Sequence, residues 1–161
     1  MERRRKHQSD RASQNPCCRI KVYNRQSNLP IDISSVRKLV EFFFQEKKIA
    51  CREVAIYFVG IRKISKLHAD HFQDPTPTDC ITFPFNETLL EGLLGEIFVC
   101  PQSALNYNPQ HPYEETTLYI IHGLLHLLGY DDIDKKERAR MRREEKRLMA
   151  LVKKRRLKVS P

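Results

Sequence analysis

The segment His122-Gly123-Leu124-Leu125-His126-Leu127-Leu128-Gly129-Tyr130-Asp131-Asp132 closes an apolar run that begins at Leu118. An α-helix turns once every ~3.6 residues, so the two histidines project from one face, a turn apart. Gly129 stands where such a helix ends, because glycine enters the left-handed conformation at little steric cost. A reversal there brings Asp132 back toward the imidazoles. Two nitrogens and one carboxylate oxygen, with a fourth position open, compose a catalytic zinc site. A histidine pair alone also occurs in apolar cores, bonded to backbone carbonyls. The glycine and the aspartate at these offsets favour metal ligation by His122, His126 and Asp132.

The spacing His-x3-His-x2-Gly-x2-Asp is the frame of the metzincin zinc-protease signature, with Asp132 at the third ligand position. Zinc proteases place a glutamate directly after the first histidine, where it serves as general base. Gly123 occupies that position and can do no acid–base work. The ligand frame is present without the protease base, which argues against a peptidase.

Outward from this segment, 161 residues suit one domain with a real core. The chain is 40% hydrophobic and 30% charged, as in globular proteins with a charged surface. No apolar run is long enough to span a bilayer, and the basic N-terminus lacks an apolar signal core. Five cysteines (17, 18, 51, 80 and 100) form no regular framework. They read as reduced thiols of a cytoplasmic protein, with Cys80 and Cys100 as small core residues.

The net charge of +9 comes from the ends. Residues 1–19 hold six basic and two acidic groups, net +4; residues 135–161 hold thirteen and three, net +10. Residues 20–134 hold ten basic and fifteen acidic groups, net −5. A mildly acidic body with basic ends points to a polyanionic partner such as nucleic acid. Residues 1–19 read as a basic flexible arm, 20–152 as the metal-site domain and 153–161 as a basic C-terminal tail.

The alternation of Ile20 to Asn24 predicts a first strand. Asp32 or Ser34 caps a helix running to about Lys48, with Val36, Leu39, Val40 and Phe43 inward. Val54 to Val59 is a strand apolar enough for burial on both faces, ended by Gly60. Ile61 to Phe72 is a short helix with Ile64, Leu67 and His68 inward. Pro75 and Pro77 exclude regular structure before strands at 80–85 and 93–100. Residues 102–112 are polar and loop-like. Pro112 opens the histidine helix, with Glu114 and Glu115 in its first turn. After Asp134 a last helix reaches about Lys154, with Met141, Leu148 and Val152 as its apolar stripe. The order predicts an α+β fold: a small mixed β-sheet of about four strands covered by helices, with a zincin-like metal-site helix.

The chain resembles the YbeY family of bacterial rRNA maturation factors. Residues His122 to Asp131 match its H-G-x-L-H-L-x-G-Y-D-H signature in register, and Asp132 replaces the final histidine. Pro77 to Pro84 is similar to the family block P-T-D-V-L-S-F-P, and Leu94 to Cys100 to L-G-D-I-x-I-S. The resemblance covers roughly residues 20–150 and leaves out the basic ends. It implies a single-strand-specific, metal-dependent endoribonuclease holding one Zn2+ per chain. It also implies cytoplasmic action in 16S rRNA 3′-end maturation and ribosome quality control. The implied partners are rRNA and the small ribosomal subunit, with ribosomal proteins or an assembly GTPase, and no membrane.

Two departures bear on the chemistry. The third ligand is a carboxylate, with Asp131 as its rival, although Asp131 is the family's own aspartate and suits orienting a ligand or capping the turn. Phe72 stands where the family often has an arginine thought to aid catalysis, and no arginine lies between Arg62 and Arg138. Thr78 and Asp79, on the proline-stiffened loop, are candidate substrate contacts. Glu96 is a candidate base or orienting residue, and the Lys153–Lys158 run a candidate phosphate contact. A non-catalytic assembly factor with a structural zinc is the alternative reading.

Overall fold

The structure, a computed structural model, describes residues 18–50, 53–85 and 93–161. The N-terminal arm therefore lies outside the described residues except for Cys18 and Arg19, as do Cys17 and Cys51.

Among the described residues nine elements follow in order. They are β1 (Arg19–Asn24), α1 (Ile33–Lys47), β2 (Glu53–Phe58), α2 (Ile61–Phe72), β3 (Cys80–Pro84), β4 (Leu93–Val99), α3 (Pro101–Tyr107), α4 (Pro112–Leu127) and α5 (Lys135–Arg155). The four strands form one mixed sheet in the order β1-β2-β4-β3. β1, β2 and β4 run parallel, and β3 pairs antiparallel with β4. This is the α+β architecture expected from the element order.

Side chains alternate across the sheet. Val22, Val54, Ile56, Phe58, Ile97 and Val99 face the main core with α1, α4 and α5. Tyr57, Ile81, Phe83 and Phe98 face the other way and pack with Ile64 of α2. Val36, Leu39, Val40 and Phe43 of α1 are buried as their spacing requires, and so are Met141, Leu148 and Val152 of α5. Asp32 is the α1 cap, accepting from the Ser34 and Ser35 amides. Asp134 caps α5 in the same way.

Two expectations are corrected. Residues 102–107 are not loop but the body of α3, which starts at Pro101 and buries only Pro101 and Ala104. Seven residues are too few for a helical period to show, and the polar side chains that suggested a loop lie on its outer face. Cys18 is disulfide-bonded, not reduced, whereas Cys80 and Cys100 are free. Pairing depends on spatial proximity, which a count of cysteines does not reveal.

The basic C-terminal residues are ordered onto the domain. α5 continues to Arg155, and Arg156 turns the chain in the left-handed region at φ 56°. Val159 is then fully buried, and its amide donates to Thr117 Oγ1 at 3.0 Å. Ser160 accepts from the Asp32 amide at 2.8 Å, tying the tail to the start of α1. No helix among the described residues is long and apolar enough to cross a membrane.

Candidate metal centre

α4 carries both histidines and ends in a turn that the sequence specifies locally. Gly129, at φ +88°, donates to the His126 carbonyl at 2.9 Å, and the Tyr130 amide reaches back to the Leu125 carbonyl at 3.1 Å. This is the paired bonding of a Schellman motif, which needs a left-handed residue after the cap. The reversal places the Tyr130 carbonyl 3.0 Å from His126 Nδ1. Asp131 Oδ1 then accepts from the Asp132 and Ile133 amides at 2.7 and 3.2 Å, so Asp131 shapes the turn.

Asp132 lies over the helix face that holds the histidines. Its Oδ2 is 3.8 Å from His122 Nε2, and its Oδ1 is 3.9 Å from His126 Nε2. The two Nε2 atoms are 2.9 Å apart. One candidate ligand atom from each of the three residues lies within 4.8 Å of the others. Bonds of about 2.0–2.1 Å from imidazole nitrogen and carboxylate oxygen to zinc fit a cluster of this size after small adjustments. Both Nδ1 atoms are already occupied, so both free nitrogens point at the same space.

The partner of His122 is Glu145 on α5, whose Oε1 lies 2.5 Å from Nδ1. Burial works to lower the His122 pKa, but the hydrogen bond and charge of Glu145, with Asp79 and Asp132, outweigh it and hold it above the usual value. A carboxylate on Nδ1 fixes the tautomer that leaves Nε2 free as a ligand and makes that nitrogen more basic. The sequence reading missed Glu145. Its signal was there: Glu145 falls between Met141 and Leu148 on the buried stripe of α5, where a carboxylate needs a partner.

Gly123 shows why this site has no glutamate after the first histidine. A Cβ built there would meet Ile97 Cγ2 at 2.6 Å and Thr82 Cγ2 at 3.4 Å. The position presses α4 onto the sheet, and any side chain would enter the core instead of the metal cluster.

Two clefts meet at these ligands. The larger, of about 610 Å³, is lined by Thr78, Asp79, Tyr107, Arg138 and Arg142 along with His122 and Asp132. The smaller, of about 310 Å³, is lined by His68, Phe72, Thr78 and Ile133 together with all three candidate ligands. Thr78 and Asp79, the candidate substrate contacts, line the larger cleft with His122 and Asp132, and Asp79 Oδ1 accepts from the Cys80 amide at 2.7 Å. Glu96 does not line either cleft; its carboxylate accepts from the Tyr57 hydroxyl at 3.1 Å. A roomier groove of about 720 Å³ lies elsewhere, between α1 and the C-terminal tail, and includes Lys153 and Lys158.

The cations of the larger cleft, Arg138 and Arg142, come from α5. Arg138 is committed to the ligand loop, donating to the Asp132 and Ile133 carbonyls at 2.9 and 3.0 Å. Arg142 is exposed and makes no ion pair among the described residues. Tyr130 is held from outside by the Lys47 ammonium, which donates to its hydroxyl at 2.8 Å and also meets Glu144 at 3.0 Å.

The chain is similar to known proteins. The family model for Endoribonuclease YbeY matches residues 21–153. An endoribonuclease YbeY of Protochlamydia amoebophila is 46% identical over 140 residues, covering 84% of this chain and 93% of that protein. One from Chlamydia pneumoniae is 36% identical over 145 residues, covering 84% and 92%. The solution structure of TM1509 from Thermotoga maritima aligns with a TM-score of 0.55 at 28% identity, covering 81% of this chain and 86% of that one. With a family match across most of the domain and relatives matched over nearly their whole length, the chain belongs to the YbeY family.

Proposed function

We propose that this protein is a metal-dependent endoribonuclease that holds one Zn2+ through His122, His126 and Asp132. The observation that carries the proposal is the convergence of two Nε2 atoms and one carboxylate where two solvent-open clefts meet. Family membership gives the reaction class, and the relatives named as endoribonucleases give RNA as the substrate. A divalent ion held by His122, His126 and Asp132 would supply Lewis acidity toward a phosphate oxygen or a water molecule, without needing a strong protein base.

The chain's own residues account for the rest. Glu145 holds His122 in the ligating tautomer, and the Tyr130 carbonyl does the same for His126 by accepting its Nδ1 proton. Arg138 fixes the loop that carries Asp132. Arg142, which makes no ion pair among the described residues, meets the backbone phosphate in the larger cleft as a charge-assisted donor. Asp132 lowers the formal charge of the centre from +2 to +1 relative to three neutral imidazoles, which weakens its pull on phosphate. The basic end of α5 adds attraction for RNA that does not depend on sequence.

The substrate we assign is single-stranded RNA, and the setting is the cytoplasm, in 3′-end maturation of 16S rRNA and quality control of the small subunit. Ribosomal proteins or an assembly GTPase are the protein partners of that role. Asp132 in place of histidine and Phe72 in place of arginine favour a second reading, a non-catalytic assembly factor with a structural zinc. Incubating an unstructured RNA oligonucleotide with wild type and His126→Ala separates them. Zinc-dependent cleavage by wild type alone supports the nuclease. Intact RNA with zinc retained supports the second reading.

A further inference from the structure

Among the described residues, four large hydrophobic side chains are exposed: Tyr23, Phe72, Tyr107 and Ile133. Three of them line the two clefts that meet at His122 and Asp132. Single exposed apolar residues need no explanation, but three gathered around one polar centre do. Phe72 is 59% exposed and ends α2 in the smaller cleft, where Ile133, 80% exposed, also lies. Tyr107 is 78% exposed and ends α3 in the larger cleft. Each cleft thus has one exposed aromatic ring, and the two share Thr78, His122 and Asp132.

The Phe72 ring is positioned in advance. It packs against the His68 imidazole at 5.4 Å between centroids, and His68 Nδ1 is bonded to the Thr76 carbonyl at 2.8 Å. The setting around the rings is polar: Arg138 and Arg142 line the Tyr107 cleft together with Asp79, Glu115, Asp132 and Glu145, and the Phe72 cleft holds His68, His122, His126, Asp131 and Asp132. Flat apolar surfaces set among polar groups, beside the centre proposed to cut a phosphodiester, suit a chain of planar bases, and Arg138 and Arg142 are the cations that can meet its phosphates.

We propose that Phe72 and Tyr107 are base-stacking residues, each taking one unpaired nucleobase. The phosphodiester between those bases is thereby presented to His122, His126 and Asp132. This rests on the ribonuclease reading and adds a requirement: nucleotides in both clefts must be unpaired, since a paired base offers no free face to either ring. Single-strand preference then follows from the two rings, not from the metal centre.

The test measures binding of fluorescein-labelled, 2′-O-methyl single-stranded oligonucleotides, which resist cleavage, by fluorescence anisotropy with zinc-loaded protein. Phe72→Ala and Tyr107→Ala are each expected to weaken binding by about 5- to 150-fold, the loss of one stacked base. Phe72→Tyr and Tyr107→Phe are expected to bind as wild type. An oligonucleotide carrying abasic sites at the stacked positions should bind wild type and the alanine variants equally, which a merely structural role would not produce. Wild-type binding and cleavage with both alanine variants unaffected would overturn the stacking proposal and leave the ribonuclease reading standing. A wild-type protein that neither binds nor cuts single-stranded RNA would overturn both. Equal losses on a fully paired duplex would also overturn the stacking proposal.

Discussion

Replacing Glu145 by glutamine tests whether α5 tunes the candidate metal centre. The 2.5 Å contact joins two side chains that are only 15% and 19% exposed, so solvent screens it weakly. Glutamine keeps the shape and an acceptor oxygen but removes the charge. A hydrogen bond to a charged group contributes about 1.5–3 kcal/mol and a neutral one about 0.5–1.5 kcal/mol. The difference of ~1–1.5 kcal/mol corresponds to roughly tenfold in zinc affinity. Glu145→Ala leaves the Nδ1 proton without its partner and belongs toward the upper end of the ~10–100-fold range for such supporting residues. Competition titration of zinc against a chromophoric chelator reads both values. In metal-free protein the His122 pKa should fall in Glu145→Gln, because burial persists while the opposing interaction weakens. Unchanged zinc affinity in both variants would refute the role assigned to Glu145.

Other outcomes follow from the same structure. Asp132→His removes a negative charge from the ligand set, so the pH optimum for RNA cleavage should move lower; an unchanged pH–rate profile counts against Asp132 as a ligand. Val159→Ala should cost about 1–3 kcal/mol in denaturant unfolding, because the side chain is fully buried and its loss leaves a cavity. Glu144 is held down to about 2, chiefly by its hydrogen bond to Arg147, with burial opposing and Lys47 adding to the effect. Its contribution to stability is present above the ordinary glutamate value and is lost as pH falls toward about 2. In Glu144→Gln the melting temperature should therefore fall less steeply than in wild type across that acid range.

What the sequence revealed depended on how local each determinant is. His122, His126 and the turn at Gly129 lie within eleven residues, and their geometry follows from helical period and one left-handed glycine. The buried faces of α1 and α5 were legible because their apolar residues recur over several turns. α3 was not, since a seven-residue helix burying Pro101 and Ala104 leaves almost no period. Glu145 was missed because its partner lies 23 residues away on another helix, and only the packing of α5 on α4 joins them. Gly123 was read correctly as the absence of a base. Its cause, contact with Ile97 across the α4–sheet interface, is tertiary. The clustering of Phe72, Tyr107 and Ile133 around the ligands is equally invisible along the chain, because three separate segments bring them there.

Metal content of the purified protein, measured beside His126→Ala and Asp132→Ala, tests the central claim most directly. The account predicts about one zinc per chain in wild type, as a single three-ligand site requires, and loss of zinc in both variants. No metal in wild type, or zinc fully retained in Asp132→Ala, would contradict it.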